Sequence, residues 1–213
     1  MANPKEVIDT IKRTKIVAII RGIDKGHILK TVEALFKGGI KALEITLNRD
    51  DAMESIEIVK KEFEEEILLG AGTVLKAEQV KEAYERGACF IVSPNTDEAV
   101  IRQTKDLGMI SIPGAFSPSE IVIADQLGAD FVKVFPAGSL GPDYIKALRG
   151  PLDRIPLLAV GGVNLDNMTE FLKAGADGLG IGGNLVSKSL IYAKKYDEVE
   201  RIARNYVKKL EEV

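Results

Sequence analysis

Eight short apolar runs, each followed by a stretch of helical periodicity, recur at intervals of roughly 20 to 25 residues, and this recurrence limits the fold more than any other feature of the chain. The runs lie at 16–23, 40–48, 67–73, 89–95, 109–115, 130–136, 155–162 and 177–183. Several of the helical stretches stop at a glycine just before the next run: Gly38–Gly39 after a helix capped by Asp24, then Gly87, Gly108, Gly128 and Gly175. Strands that alternate with helices must pair in parallel, because each helix carries the chain back to the starting end of the sheet. Eight such units close most naturally into a (β/α)8 TIM barrel, with a doubly wound open sheet as the alternative. The spacing also predicts an opening helix over 4–14 and an amphipathic helix over 196–213 packed on the outside. No Ser/Pro-rich linker, charge block or low-complexity tract interrupts the pattern, so residues 1–213 read as one barrel domain.

Charge and residue usage remove several function classes. A formal net charge of -3 and a pI near 5.4 give no electrostatic reason to expect nucleic acid or an anionic membrane as a partner. The opening MANPKEVIDTIKRTK lacks the apolar core of a signal peptide, and no apolar run approaches the roughly 18 residues of a membrane span, so a cytoplasmic location is expected. The one cysteine, Cys89, lies in the strand-like ACFIVS and reads as packing. The one histidine, His27, falls between Lys25 and Lys30 on a helical stretch and reads as solvated. A Ser-His-Asp or Cys-His device would have to use that residue, and a zinc site wants a cluster this chain cannot assemble. The chemistry must run on lysine, carboxylate, arginine, hydroxyl and backbone groups.

One lysine stands out. In DFVKVFPA, at 130–137, Lys133 shares a strand face with Phe131 and Phe135, while Val132 and Val134 point the other way. Burial lowers a lysine's pKa, and the neutral amine can attack a ketone to form a Schiff base. In a barrel, functional groups collect at the C-terminal ends of the strands. Leu43, Ile45 and Leu47 are expected to meet the helices, leaving Ala42, Glu44, Thr46 and Asn48 on the inner face, where Arg21, Thr73 and Lys133 could converge on Glu44. A glutamate there can act as general acid and base; alternatively Glu44 and Lys133 form a structural ion pair without chemistry. The last two runs end in AVGGVN and GLGIGGN, glycine-rich turns that let backbone N–H groups approach an anion where barrels often bind phosphate. Ser117 and Ser119 read as helix caps, and a helix is expected to begin after Gly141.

Taken in order, IVAIIRGI, GGIKALEITL, GAGTVL, FIVSPN, PGAFSPSE, DFVKVFPA, GPDYIKALRGP and AVGGVNLDN resemble the 2-keto-3-deoxy-6-phosphogluconate (KDPG) and 4-hydroxy-2-oxoglutarate (KHG) aldolases across nearly the whole chain. The resemblance implies a metal-independent and cofactor-free class I aldolase, typically a homotrimer of barrels. Its substrate would be a 2-keto-3-deoxy-6-phospho sugar acid of the gluconate type, cleaved to pyruvate and an aldehyde, glyceraldehyde 3-phosphate. It further implies that Lys133 is the Schiff-base lysine, Glu44 the general acid/base, Thr73 a ligand of the pyruvyl carboxylate and Arg21 a substrate-binding arginine. Gly161, Gly162 and Val163, with Gly182 and Gly183, correspond to the phosphate end. Asn48 stands where the gluconate branch usually has arginine, with Arg49 one place later. Gly183 stands in place of a serine, and Val160 in place of a threonine or serine. LNxx after the glutamate, VSPN and AVGG look more like the 6-phosphogalactonate branch. The same chemistry on that epimer, on 4-hydroxy-2-oxoglutarate or on an unphosphorylated sugar acid therefore stands as the alternative. From other classes, the rivals are a phosphate-binding isomerase or decarboxylase barrel and a non-catalytic sugar-acid-binding barrel.

Overall fold

The computed structural model describes residues 3–213. Helix α1 (Pro4–Thr14) opens the chain, capped by the Asn3 side chain accepting from the Lys5 N–H, with Pro4 at the first helical position. The strands are β1 (Ile16–Ile20), β2 (Ala42–Thr46), β3 (Leu68–Gly72), β4 (Phe90–Val92), β5 (Ile110–Ile112), β6 (Gly114–Ala115), β7 (Val132–Val134), β8 (Leu157–Val160) and β9 (Gly178–Ile181). Between them run α2 (Lys25–Lys37), α3 (Ala52–Phe63), α4 (Ala77–Glu85), α5 (Glu98–Asp106), α6 (Pro118–Gln126), α7 (Ala137–Leu140), α8 (Pro142–Arg149) and α9 (Met168–Lys173). After β9 come α10 (Lys188–Tyr192) and α11 (Tyr196–Lys209).

The nine strands pair in parallel in the order β5-β4-β3-β2-β1-β9-β8-β7-β6. The two outermost, β5 and β6, are the halves of the single expected run 109–115, separated by Pro113, which has no N–H to give. That run is bonded on both sides. Ser93 N–H donates to the Ile112 carbonyl (3.2 Å) and Lys133 N–H to the Pro113 carbonyl (2.8 Å), so the sheet closes on itself as an eight-unit barrel. Gly87, Gly108, Gly128 and Gly175 all have left-handed φ, between 71° and 108°, as helix-ending glycines should.

Alternation along each strand divides the buried residues into two layers. Val132 and Val134, with Leu43 and Ile45, face the helices. Phe131, Leu68, Phe90, Val92, Leu158 and Val160 fill the barrel, and Phe135 packs against them. Val7 and Ile11 of α1 join that inner cluster, both fully buried, so α1 plugs the end of the barrel where the strands begin. The opposite end, where the strands finish, is left for polar groups. On the outside α11 lies against α2 so closely that a Cβ on Gly38 would come within 2.4 Å of the Ala203 Cβ.

Three local expectations need adjusting. Ser117 caps α6 in a capping box with Glu120, whereas Ser119 lies inside the first turn and caps nothing. A helical turn, α7, already forms before Gly141, ahead of the expected helix α8. His27 is not a solvated surface residue: its Nδ1 lies 3.0 Å from Asp24 Oδ1 and its ring stands edge-on to Tyr192, with centroids 4.9 Å apart. Cys89 packs as expected, and burial pushes its thiol up to about 11, away from thiolate chemistry.

Ile11 provides a test of the plug. Ile11→Ala should cost about 2–5 kcal/mol, the range for truncating a buried aliphatic side chain, read as a lower urea midpoint at unchanged slope. A loss below about 1 kcal/mol would mean the barrel floor does not depend on α1.

Candidate active site

Lys133 and Glu44 project into the barrel from β7 and β2, on opposite sides of its circumference. They are 4% and 2% exposed. Room for the carboxyl is made by Gly72 on the neighbouring β3, where a Cβ would lie 2.7 Å from Glu44 Cδ. Among the described residues neither side chain takes a hydrogen bond or an ion pair, and each feels the other through space only. No side-chain nitrogen or oxygen among those residues is both sealed from solvent and unpartnered. The two heads must therefore reach open space, and both line a void of about 10 Å3 inside the barrel. Lys133 Nζ also stands 4.9 Å from the centre of the Phe135 ring.

Burial dominates the titration of both groups. It pushes Glu44 above the usual carboxylate range, against the opposing pull of Lys133 and Arg21. It pushes Lys133 below the usual lysine value, helped by Arg21 and opposed by Glu44. An amine with reduced basicity facing a carboxyl of raised pKa is a pair equipped for nucleophilic attack and proton transfer.

Above this pair opens a cleft of about 540 Å3, sharing Ile19, Val160 and Gly180 with the inner void. Arg21, the first residue past β1, lies at its mouth, exposed, and its charge reaches both Glu44 and Lys133. Gly161, Gly162, Val163, Gly182 and Gly183 line the cleft. The turn at Gly161–Gly162 needs glycine twice over: both have left-handed φ (88° and 81°), and a Cβ on Gly162 would come within 2.9 Å of Gly138 Cα. Its three successive carbonyls are all occupied: Gly161 accepts from Gly138 N–H, Gly162 from Asn167 Nδ2 and Val163 from Asn184 Nδ2. The N–H groups of the same three residues have no partner among the described residues, which leaves a row of donors beside the cleft.

The other expected residues distribute unevenly. Thr73 directly follows Gly72 at the rim but lines neither the cleft nor the inner void; it holds φ 58°, a left-handed conformation that strains a β-branched residue. Asn48 is exposed beyond β2. Arg49 turns away to Asp51, with Nε 2.8 Å from Oδ1. Sequence reasoning missed Ser187, Lys188 and Ser189, which line the cleft where the chain leaves β9. The only signal was a lysine flanked by serines shortly after the last glycine-rich turn. The helices after these turns, α9 and α10, are six and five residues long, so the donors are turn amides and side chains rather than long helix dipoles.

A family model described as KDPG and KHG aldolase matches residues 7–202. The chain is 39% identical over 171 residues to the 2-dehydro-3-deoxy-6-phosphogalactonate aldolase of Escherichia coli (strain K12), covering 80% of this chain and 83% of that one. It is 34% identical over 205 residues to the 2-dehydro-3-deoxy-phosphogluconate aldolase of Haemophilus influenzae, covering 95% and 96%. Among solved structures, the KDPG aldolase of Legionella pneumophila, with pyruvate captured at low pH as a covalent carbinolamine intermediate, matches with a TM-score of 0.87 at 27% identity, covering 95% and 97%.

The unpaired heads give a stability test. Replacing both polar groups by neutral side chains of similar size, as Lys133→Met with Glu44→Gln, should raise unfolding stability by about 1–4 kcal/mol in urea titrations. A double variant less stable than wild type would mean that the attraction between the two groups outweighs the cost of burying them.

Proposed function

Because the chain belongs to the KDPG and KHG aldolase family, we propose that it is a class I aldolase cleaving a 2-keto-3-deoxy-6-phospho sugar acid of the gluconate type between C3 and C4, to pyruvate and glyceraldehyde 3-phosphate. The observation that carries this reading is the buried, unbonded pair of Lys133 and Glu44 below an open cleft. The carbinolamine held by the Legionella relative is the adduct an amine makes with a ketone, which supports a lysine in that role here.

Neutral Lys133 attacks the C2 ketone, and the carboxyl of Glu44 gives its proton to the departing hydroxyl, so that water leaves and a protonated imine conjugated to the carboxylate end remains. Glu44, directly or through water, takes the proton of the C4 hydroxyl. The C3–C4 bond breaks, its electrons pass into the imine to give an enamine, and the aldehyde departs. Glu44 returns the proton to C3, and water hydrolyses the imine to free pyruvate and Lys133. In this scheme Arg21 and Thr73 hold the carboxylate end, and the amides of Gly161, Gly162, Val163, Gly182 and Gly183 receive the phosphate. No metal or organic cofactor enters any step.

The galactonate epimer is a second reading. It is favoured by Val160, an apolar side chain lining the cleft where a hydroxyl would otherwise meet the substrate, and by the 39% identity to the phosphogalactonate enzyme. Assay of both C4 epimers by pyruvate release decides between them through the ratio of kcat/KM. We further read residues 1–213 as one catalytic domain acting in the cytoplasm as a homotrimer. No helix of the described residues is long and apolar enough to cross a membrane. Phe116 and Ile123, 49% and 48% exposed, are apolar side chains of the kind a neighbouring subunit covers. Sedimentation equilibrium giving a monomer at micromolar concentration would overturn the trimer.

Incubation with pyruvate and borohydride should place an adduct on the peptide carrying Lys133, detected by mass spectrometry. Lys133→Ala should abolish both adduct and turnover, while Glu44→Gln should lose about 10²- to 10⁴-fold in turnover and still be trapped. Absence of any adduct, with pyruvate binding retained, would leave the non-catalytic binding barrel. Trapping needs the neutral amine, so its rate should rise with pH through a midpoint below the ordinary lysine value of 10.5. Arg21→Met removes a charge that lowers Lys133, so the midpoint should move to higher pH. A midpoint that does not move would take Arg21 out of the site.

A further inference from the structure

We propose that Lys188 binds the phosphate dianion at the far end of the substrate and sets the preference for phosphorylated over neutral-ended sugar acids. The inference rests on the aldolase reading for the identity of the substrate, but its geometry stands apart from Lys133 and Glu44.

Only two of the residues lining the cleft are charged, Arg21 and Lys188, and both are cations; no carboxylate lines it. Their duties differ. Arg21 acts on Glu44 and Lys133, whereas Lys188 is not among the groups that shift either of them, and it lines the outer cleft but not the inner void where they sit. Lys25, Lys30, Lys37, Lys105 and Lys195 each hold a carboxylate. Lys188 has no ion pair or hydrogen bond among the described residues. Its head does not trail into solvent. A Cβ on Gly22 would lie 2.6 Å from Lys188 Nζ, so the lysine is folded over the glycine next to Arg21, and only the missing side chain at Gly22 makes that place available. Two cations brought to one rim without a counter-ion repel each other, and an anion held by Lys188 offsets that cost.

The rest of the cleft fits the same ligand. The carbonyls of Gly161, Gly162 and Val163 are each already bonded, while the N–H groups of the same residues have no partner among the described residues, so the turn offers donors to that side. A phosphate monoester offers only acceptors and about two negative charges, so it satisfies amides and ammonium together. A hydroxymethyl end would leave the Lys188 charge unanswered.

The test compares wild type, Lys188→Met and Lys188→Arg as full-length proteins with 2-keto-3-deoxy-6-phosphogluconate, its unphosphorylated form and 4-hydroxy-2-oxoglutarate, and adds a titration with inorganic phosphate followed by ³¹P NMR. Loss of one charged contact should lower the kcat/KM ratio of phosphorylated to unphosphorylated acid by about 10- to 100-fold in Lys188→Met, through KM rather than kcat. Lys188→Arg should restore most of it, and inorganic phosphate should bind more weakly to Lys188→Met. An unchanged ratio with wild-type phosphate binding overturns the inference and leaves the aldolase reading intact. So does a KM effect confined to 4-hydroxy-2-oxoglutarate, which would make Lys188 a carboxylate anchor. If wild type cleaves none of the three acids, nor the C4 epimer 2-keto-3-deoxy-6-phosphogalactonate, yet Lys188→Met still weakens phosphate binding, the aldolase reading falls and the phosphate site stands.

Discussion

Taking Lys133 and Glu44 out of water costs free energy that their mutual attraction returns only in part, because no hydrogen bond joins them. Much of the barrel interior is arranged around holding both groups there. Gly72 gives the carboxyl its space, and Gly180, where a Cβ would lie 2.7 Å from Val160 Cγ2, keeps the inner void from being filled. Phe90, Phe131 and Leu158 occupy the rest of the interior, so the polar pair is confined to one level. The backbone of Lys133 is fixed at the closure of the barrel by its bond to the Pro113 carbonyl. Its position is therefore set by the circumference of the whole sheet.

The turn at Gly161–Val163 shows how a stretch of backbone can be biased toward donation without charge. A peptide unit carries one donor and one acceptor, and a turn exposing both would favour no ligand in particular. At Gly161–Val163 the acceptors are bonded to Gly138 of α7, to Asn167 of the same loop and to Asn184 from the turn after β9. What the turn itself is left to offer is its N–H groups. Asn184 also ties the turn after β8 to the turn after β9, so the donors move as one body.

Much of this was legible in the sequence, for a physical reason. The βα period and the two-residue alternation are local signals, and they place Lys133 with Phe131 and Phe135 and Glu44 with Ala42 on the inner face, as the structure has them. The resemblance added candidate roles for these residues. What local signals could not carry was contact between distant segments. Lys188 meets Gly22 across almost the full chain, and the segment holding it has no periodicity to read. The pairing of His27 with Asp24 and Tyr192 likewise joins α2 to α10. Pro113 was visible, but its splitting of one run into β5 and β6 follows from the missing N–H at a seam bonded on both sides.

The plug formed by α1 makes the barrel a vessel with a single opening. Whatever reaches Lys133 must pass the mouth and can leave only the same way, so position along the axis becomes order in time. In the proposed reaction the keto-acid half, bonded to Lys133, is the first part of a substrate to enter and the last to go, and the aldehyde half stands between it and solvent. The same proposed reaction run backwards would load pyruvate first and admit an aldehyde second, with the imine to Lys133 holding the first reactant while the second diffuses in. A plug at the far end of the fold thus acts on the sequence of events as firmly as any residue at the mouth.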